Sequence, residues 1–154
     1  MRRCFFIGHR DASEEIFPAL FSAIEHHITY YGVREFVVGH HGRFDAMVAQ
    51  CLVEIKKSHP DICLTQLMVY HPSNRSIAIW EGFDGSMYLD GLERVPKHLA
   101  IVKANRKMIH QSEYLIAYVW QAASNARKLM EYAERKGICI TNLANYKKRE
   151  DALE

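Results

Sequence analysis

The sequence holds little that would staple, export or membrane-anchor a chain. Its four cysteines, Cys4, Cys51, Cys63 and Cys139, form no Cys-x-x-Cys pair, which argues against a zinc knuckle. Three of them sit in apolar runs: Cys4-Phe5-Phe6-Ile7, Ile62-Cys63-Leu64 and Ile138-Cys139-Ile140. They read as reduced core residues of a cytoplasmic protein. Long hydrophobic runs are missing as well. The apolar stretch after Met1-Arg2-Arg3 ends at Gly8-His9-Arg10, too short for a signal peptide. The longest later run, Tyr114 to Trp120, is far below membrane-spanning length, so no membrane partner is expected. Net charge is also scarce: 20 basic against 18 acidic side chains leave +2. That excess is too small for a surface that coats a duplex. Nucleic acid is therefore set aside as a partner, while a local anion site stays open.

What is present describes a folding chain. At 154 residues it has the length of one domain and can bury roughly 68–70% of its unfolded surface. Hydrophobic residues make up 49% and charged residues 25%, which excludes disorder. Nine histidines are the one unusual count. The expected organisation is a single domain over 1–146 followed by a charged tail over 147–154.

Short apolar runs alternate with helical patterns. Cys4 to Ile7 reads as a buried strand ending at Gly8. Ser13 then caps a helix to about Tyr31, with Ile16, Leu20, Ile24 and Ile28 on one stripe. Glu35 to Val38 is a second strand, and Phe44 to about Ser58 a second helix. Ile62 to Tyr70 is a third strand, broken by His71-Pro72-Ser73-Asn74. The stretch from Arg75 to Lys97 is the least regular: a short strand followed by a loop or lid. A helix over His98–Gln111, a strand over Tyr114–Trp120, a helix over Ser124–Lys136 and a strand over Ile138–Ile140 complete the series.

Repeated strand–helix–strand units imply right-handed crossovers and a mainly parallel sheet. The fold class is α/β: a Rossmann-like three-layer sandwich with about five strands. Such sheets bind ligands beyond the carboxyl ends of their strands. Three turns fall there: Gly8-His9-Arg10-Asp11-Ala12-Ser13, Gly39-His40-His41-Gly42-Arg43-Phe44-Asp45, and Gln121-Ala122-Ala123-Ser124-Asn125. Each leads into a helix whose first N–H groups can meet phosphate oxygens. Arg10 and Arg43 add guanidinium donors. The plain alternative is that the glycines only make tight turns. Neither Gly-x-Gly-x-x-Gly nor a Gly-Lys-[Ser/Thr] P-loop occurs.

Four segments together resemble a known family. They are Phe6-Ile7-Gly8-His9-Arg10; Gly39 to Asp45; Asn105-Arg106-Lys107-Met108-Ile109 leading to Ser112 through Tyr118; and Ser124-Asn125-Ala126-Arg127-Lys128 leading to Tyr132 through Gly137. Their order and spacing resemble the SLOG superfamily, which includes the DNA-processing protein DprA and the lonely-guy phosphoribohydrolases, with the small YpsA-like branch nearest. The resemblance implies a parallel Rossmann-like fold and a pocket for a nucleotide or nucleotide-derived ligand. It places Gly39, Gly42, Ser124 and Asn125 around phosphates, with Arg106 near the same site. The hydrolases of the group carry a Pro-Gly-Gly-x-Gly-Thr-x-x-Glu motif. This chain has Gln121-Ala122-Ala123-Ser124-Asn125-Ala126 there, with Glu131 as the nearest later acid. A glycosidic-bond hydrolase needs a placed carboxylate. No catalytic residue is therefore assigned, and a non-enzymatic role is favoured.

Single residues keep two readings each. Arg106 either belongs to a solvated basic face with Lys103 and Lys107 or reaches the ligand. Asp45 either serves the helix start or bonds a ribose hydroxyl. Phe44 fits core better than base stacking, and Trp80 either packs or closes over a base. His26 and His27 read as surface residues. His40 and His41 suit phosphate better than a metal, since adjacent histidines do not easily share one ion. The expected site is thus Gly8, His9, Arg10, Gly39, His40, His41, Gly42, Arg43, Phe44, Asp45, Arg106, Ser124 and Asn125. The leading expectation is a sensor or binding module for an ADP-ribose- or NAD-like ligand, with no separate cofactor. The alternatives are a phosphoribohydrolase of the lonely-guy type and a binder of single-stranded DNA. A homodimer through the Trp80–Leu92 stretch stays open.

Overall fold

The computed structural model describes residues 2–69, 78–92 and 94–144. The tail over 147–154, the end of the expected domain and the His71–Asn74 break lie outside them. Among the described residues the elements run β1 Arg3–Gly8, α1 Phe17–Thr29, β2 Glu35–Val38, α2 Arg43–Lys56, β3 Cys63–Met68 and β4 Gly85–Tyr88. They continue with α3 Lys97–His110, β5 Tyr114–Tyr118, α4 Asn125–Arg135 and β6 Cys139–Asn142.

The strands form one sheet in the order β4-β3-β2-β1-β5-β6, and every pair is parallel. The expected α/β sandwich is therefore present, with six strands rather than about five. The added strand is β4, from the stretch whose mixed composition carried no clear period. Its register against β3 sets Thr65 opposite Gly85 and Met68 opposite Tyr88.

β1 shows why the layers form. Side chains alternate faces along a strand. Cys4 and Phe6 pack into the core shared with α1 and α2, while Phe5 and Ile7 pack into the core shared with α3 and α4. All four are buried. A strand apolar on both faces has to lie inside such a sandwich, and β1 pairs on both sides, with β2 and β5. Burial of each large side chain here contributes roughly 1.5–3 kcal/mol.

Some local readings are corrected. Ser13 caps a short 3-10 turn, Glu14–Ile16, before α1 begins. Cys4 and Cys51 are buried, but Cys63 is half-buried and Cys139 exposed, because β6 is an edge strand. His27, expected at the surface, is buried, and its Nδ1 donates to the Ala23 carbonyl at 2.7 Å. His26, its neighbour, is exposed. No described helix is long and apolar enough to cross a membrane.

From β1 the sheet grows through β2, β3 and β4 on one side and through β5 and β6 on the other. The strand order therefore reverses between β1 and β5. Chains leaving adjacent strands diverge there to opposite faces, and a crevice opens above the carboxyl ends.

Candidate functional site

That crevice is a cavity of about 240 Å³. Its floor is the end of β1, including Gly8. Gly39, His41 and Asp45 line it from the turn into α2. His98, Ile101 and Asn105 line it from α3, and Ser124, Asn125 and Ala126 from the start of α4. His9 and Arg10 complete the wall. All three turns read from the sequence thus reach one place.

Close packing holds the first two turns together. A Cβ on Gly8 would fall 2.3 Å from Cγ of Phe44, so the Phe44 ring lies directly against the β1 terminus. Phe44 is fully buried and does not face a ligand. Gly42 has φ +100°, and a Cβ there would lie 2.8 Å from the Arg10 Cα. Only glycine fits that conformation and that approach. The Arg43 N–H donates to the Arg10 carbonyl at 2.9 Å and ties the turns.

The helix starts differ. Gly42 gives α2 no side-chain cap, and Pro96 gives α3 none. Their first-turn N–H groups are therefore free of capping side chains. Ser124 instead caps α4, accepting from the Arg127 N–H at 3.1 Å while its hydroxyl donates to the Gln121 carbonyl at 3.0 Å. The hydroxyl is largely engaged in structure.

Electrostatics favour an anion. Burial pushes His41 down to about 4, and His40, Arg10 and Lys97 push the same way. Of these neighbours Arg10 and Lys97 carry a positive charge, which makes the surroundings of His41 favourable to an anion. His40 is likewise lowered, by burial and then by Lys97, against its own bond from Nδ1 to the Leu67 carbonyl at 3.1 Å. Asp45 opposes the field. Burial pushes its carboxyl up to about 7, despite the His41 N–H and Arg10, which favour the anion. The His40 and His41 rings lie 4.1 Å apart, and no described group of three His, Cys, Asp or Glu could hold a metal.

His9 is held by structure rather than left free. Its Nε2 accepts from the backbone N–H groups of Trp120 at 3.1 Å and Gln121 at 3.3 Å. An accepting Nε2 requires neutral imidazole, and burial indeed lowers its pKa. Arg43 points outward and makes a loose pair with Glu14 at 3.5 Å, both exposed. Arg106 does not line this cavity. It lies 5.5 Å over the Tyr132 ring, beside a separate hollow with Lys107 and His110. Trp80 packs against Phe83 instead of covering the cavity.

Sequence reading missed Lys97, His98, Asn105 and Arg127. The first three belong to α3, which follows the irregular stretch. Pro96 at its start was the available signal. Arg127 lies one turn into α4, near enough to lower the His9 pKa.

No family model matches the sequence, and no curated protein matches it. Solved structures do. The fold is shared with DNA processing protein A. The Streptococcus pneumoniae DprA structure aligns with TM-score 0.66 at 15% identity, over 91% of this chain and 49% of that one. The Helicobacter pylori DprA structure, solved for its single-stranded DNA binding mode, aligns with TM-score 0.60 at 15% identity. That match covers 97% of this chain and 73% of that chain. This chain spans about half the length of the Streptococcus protein. Within the SLOG resemblance, the structural neighbours are thus DprA proteins.

Two expectations fall with this finding. An ADP-ribose- or NAD-like ligand was placed first, and nucleic acid was set aside on the +2 charge. The Helicobacter pylori neighbour is a DprA with a single-stranded DNA binding mode, which counts against both. The charge argument failed because net charge averages the whole surface. Arg10 and Lys97 act together on His41, whereas at His9 the nearby Asp11 outweighs Arg127, so the positive field is local to the His41 side of the edge.

Proposed function

We propose that the chain binds single-stranded DNA, with one backbone phosphate seated in the cavity above β1. One observation carries the reading: on a DprA fold, the cavity at the strand-order reversal is walled by Arg10 and lies in the field of Lys97. A phosphate there would meet the Arg10 guanidinium and the uncapped first turns of α2 and α3. Gly39 lines the cavity without a side chain, and Gly42 lets the Arg10 turn approach the start of α2. The cavity is sized for a phosphate and part of a nucleotide, which suits a flexible single strand better than a rigid duplex. Gly8, His9, Arg10, Gly39, His41, Asp45, Ser124 and Asn125 remain the proposed contact set, now with Lys97, His98 and Arg127.

Two finer placements belong to the same proposal. The four sequence segments support a position near the small YpsA-like branch. Four free thiols support work in the cytoplasm.

The test is fluorescence anisotropy with a labelled thymidine oligonucleotide at several salt concentrations. Affinity should fall with salt, with a log–log slope of about −0.7 per phosphate contacted. Absence of salt-sensitive binding overturns the reading.

A further inference from the structure

Trp120 lies two residues past the end of β5, at the same sheet edge as the cavity. It keeps 54% of its surface exposed, which is unusual for the largest apolar side chain. Its position is nevertheless fixed. Its N–H and that of Gln121 donate to Nε2 of His9, and its indole meets the His9 ring edge-on at 5.4 Å and 77°. Before it, Val119 is clamped by Asn142, which accepts from the Val119 N–H at 3.1 Å and donates to its carbonyl at 3.0 Å. After it, Ser124 holds the Gln121 carbonyl. An aromatic ring held this firmly loses little entropy when a flat partner covers it.

His9 is the shared wall: it lines the cavity on one side and supports the indole on the other. A charged hollow beside an exposed aromatic ring has the chemistry of one nucleotide, an anionic phosphate joined to a flat base. We infer that Trp120 is a stacking platform for an unpaired base of the strand whose phosphate enters the cavity. This rests on the single-strand reading above and adds the residue that would hold the base.

The experiment compares a thymidine oligonucleotide with an abasic strand of equal length, on the full chain and on Trp120→Ala and Trp120→Phe. Melting curves check that the variants fold. Wild type should bind the thymidine strand about tenfold more tightly than the abasic one, a typical single-stacking increment. Trp120→Ala should lose that difference and leave abasic binding unchanged, and Trp120→Phe should keep most of it. Indole fluorescence should be quenched by the thymidine strand in Trp80→Phe but not in Trp120→Phe. Equal binding of both strands by wild type, or an undiminished preference in Trp120→Ala, overturns the platform while single-strand binding stands. If neither strand binds wild type, the single-strand reading fails and the platform fails with it.

Discussion

The His41 backbone N–H donates to Oδ2 of Asp45 at 2.9 Å, closing the turn that forms one wall of the cavity. The same Oδ2 lies 3.0 Å from where a Gly39 Cβ would be, so the carboxyl is packed against the turn it holds. Two groups with opposite pH responses are thereby placed side by side.

Stability should rise from pH 5 to a plateau above about pH 7. His9, His27, His40 and His41 all have lowered values in the folded chain, each chiefly through burial. Below their ordinary 6.5 the unfolded chain takes up protons that the folded chain does not, so stability falls as pH falls. Asp45 acts the other way. Its folded value near 7 exceeds its ordinary 3.8, so its contribution weakens stability as pH rises through that window. Four histidines outweigh one aspartate below 6.5. Melting temperature measured from pH 5 to 8 checks this. Asp45→Asn should melt a few degrees above wild type at pH 8 and match it near pH 4.

Asp45 should also tune binding. An ionised carboxylate beside a bound phosphate is repulsive, so binding favours the protonated form. Wild type should bind the oligonucleotide more tightly at pH 6 than at pH 8. Asp45→Asn should lose part of that dependence and bind several-fold more tightly at pH 8. The difference between the two proteins isolates Asp45 from the histidines. A titration series at constant ionic strength reads it.

Arg10→Ala should weaken single-strand binding for all sequences and make the salt slope shallower by about 0.7–1, the loss of one phosphate contact. Arg106→Ala should leave both unchanged, because Arg106 sits over Tyr132 outside the cavity. Equal effects would place the strand elsewhere.

Gly42→Ala should cost about 1–3 kcal/mol, through positive φ and the clash with the Arg10 backbone. Gly32→Ala also has positive φ, +71°, but nothing within 4 Å of a Cβ, so it should cost about 1 kcal/mol. Denaturant unfolding separates them. Only Gly42→Ala should also weaken binding, since it moves Arg10.

The sequence by itself determined the layered α/β class. Cys4 to Ile7 is apolar at every position, and such a strand has to be covered on both faces. It also determined that the turns after β1, β2 and β5 share an edge, because parallel strands all end in the same direction. Local pattern carries such facts. It does not carry distance between separate segments. β4 was obscure because an edge strand has little hydrophobic period to read. Only the tertiary structure decided that α3 brings His98 and Asn105 to the cavity, and Lys97 close enough to act on His41, while turning Arg106 away. A helix pattern shows which residues share a face, and packing decides what that face meets. The charge was settled the same way. Composition fixed a total of +2, whereas folding gathered Arg10 and Lys97 around His41, where a local field forms.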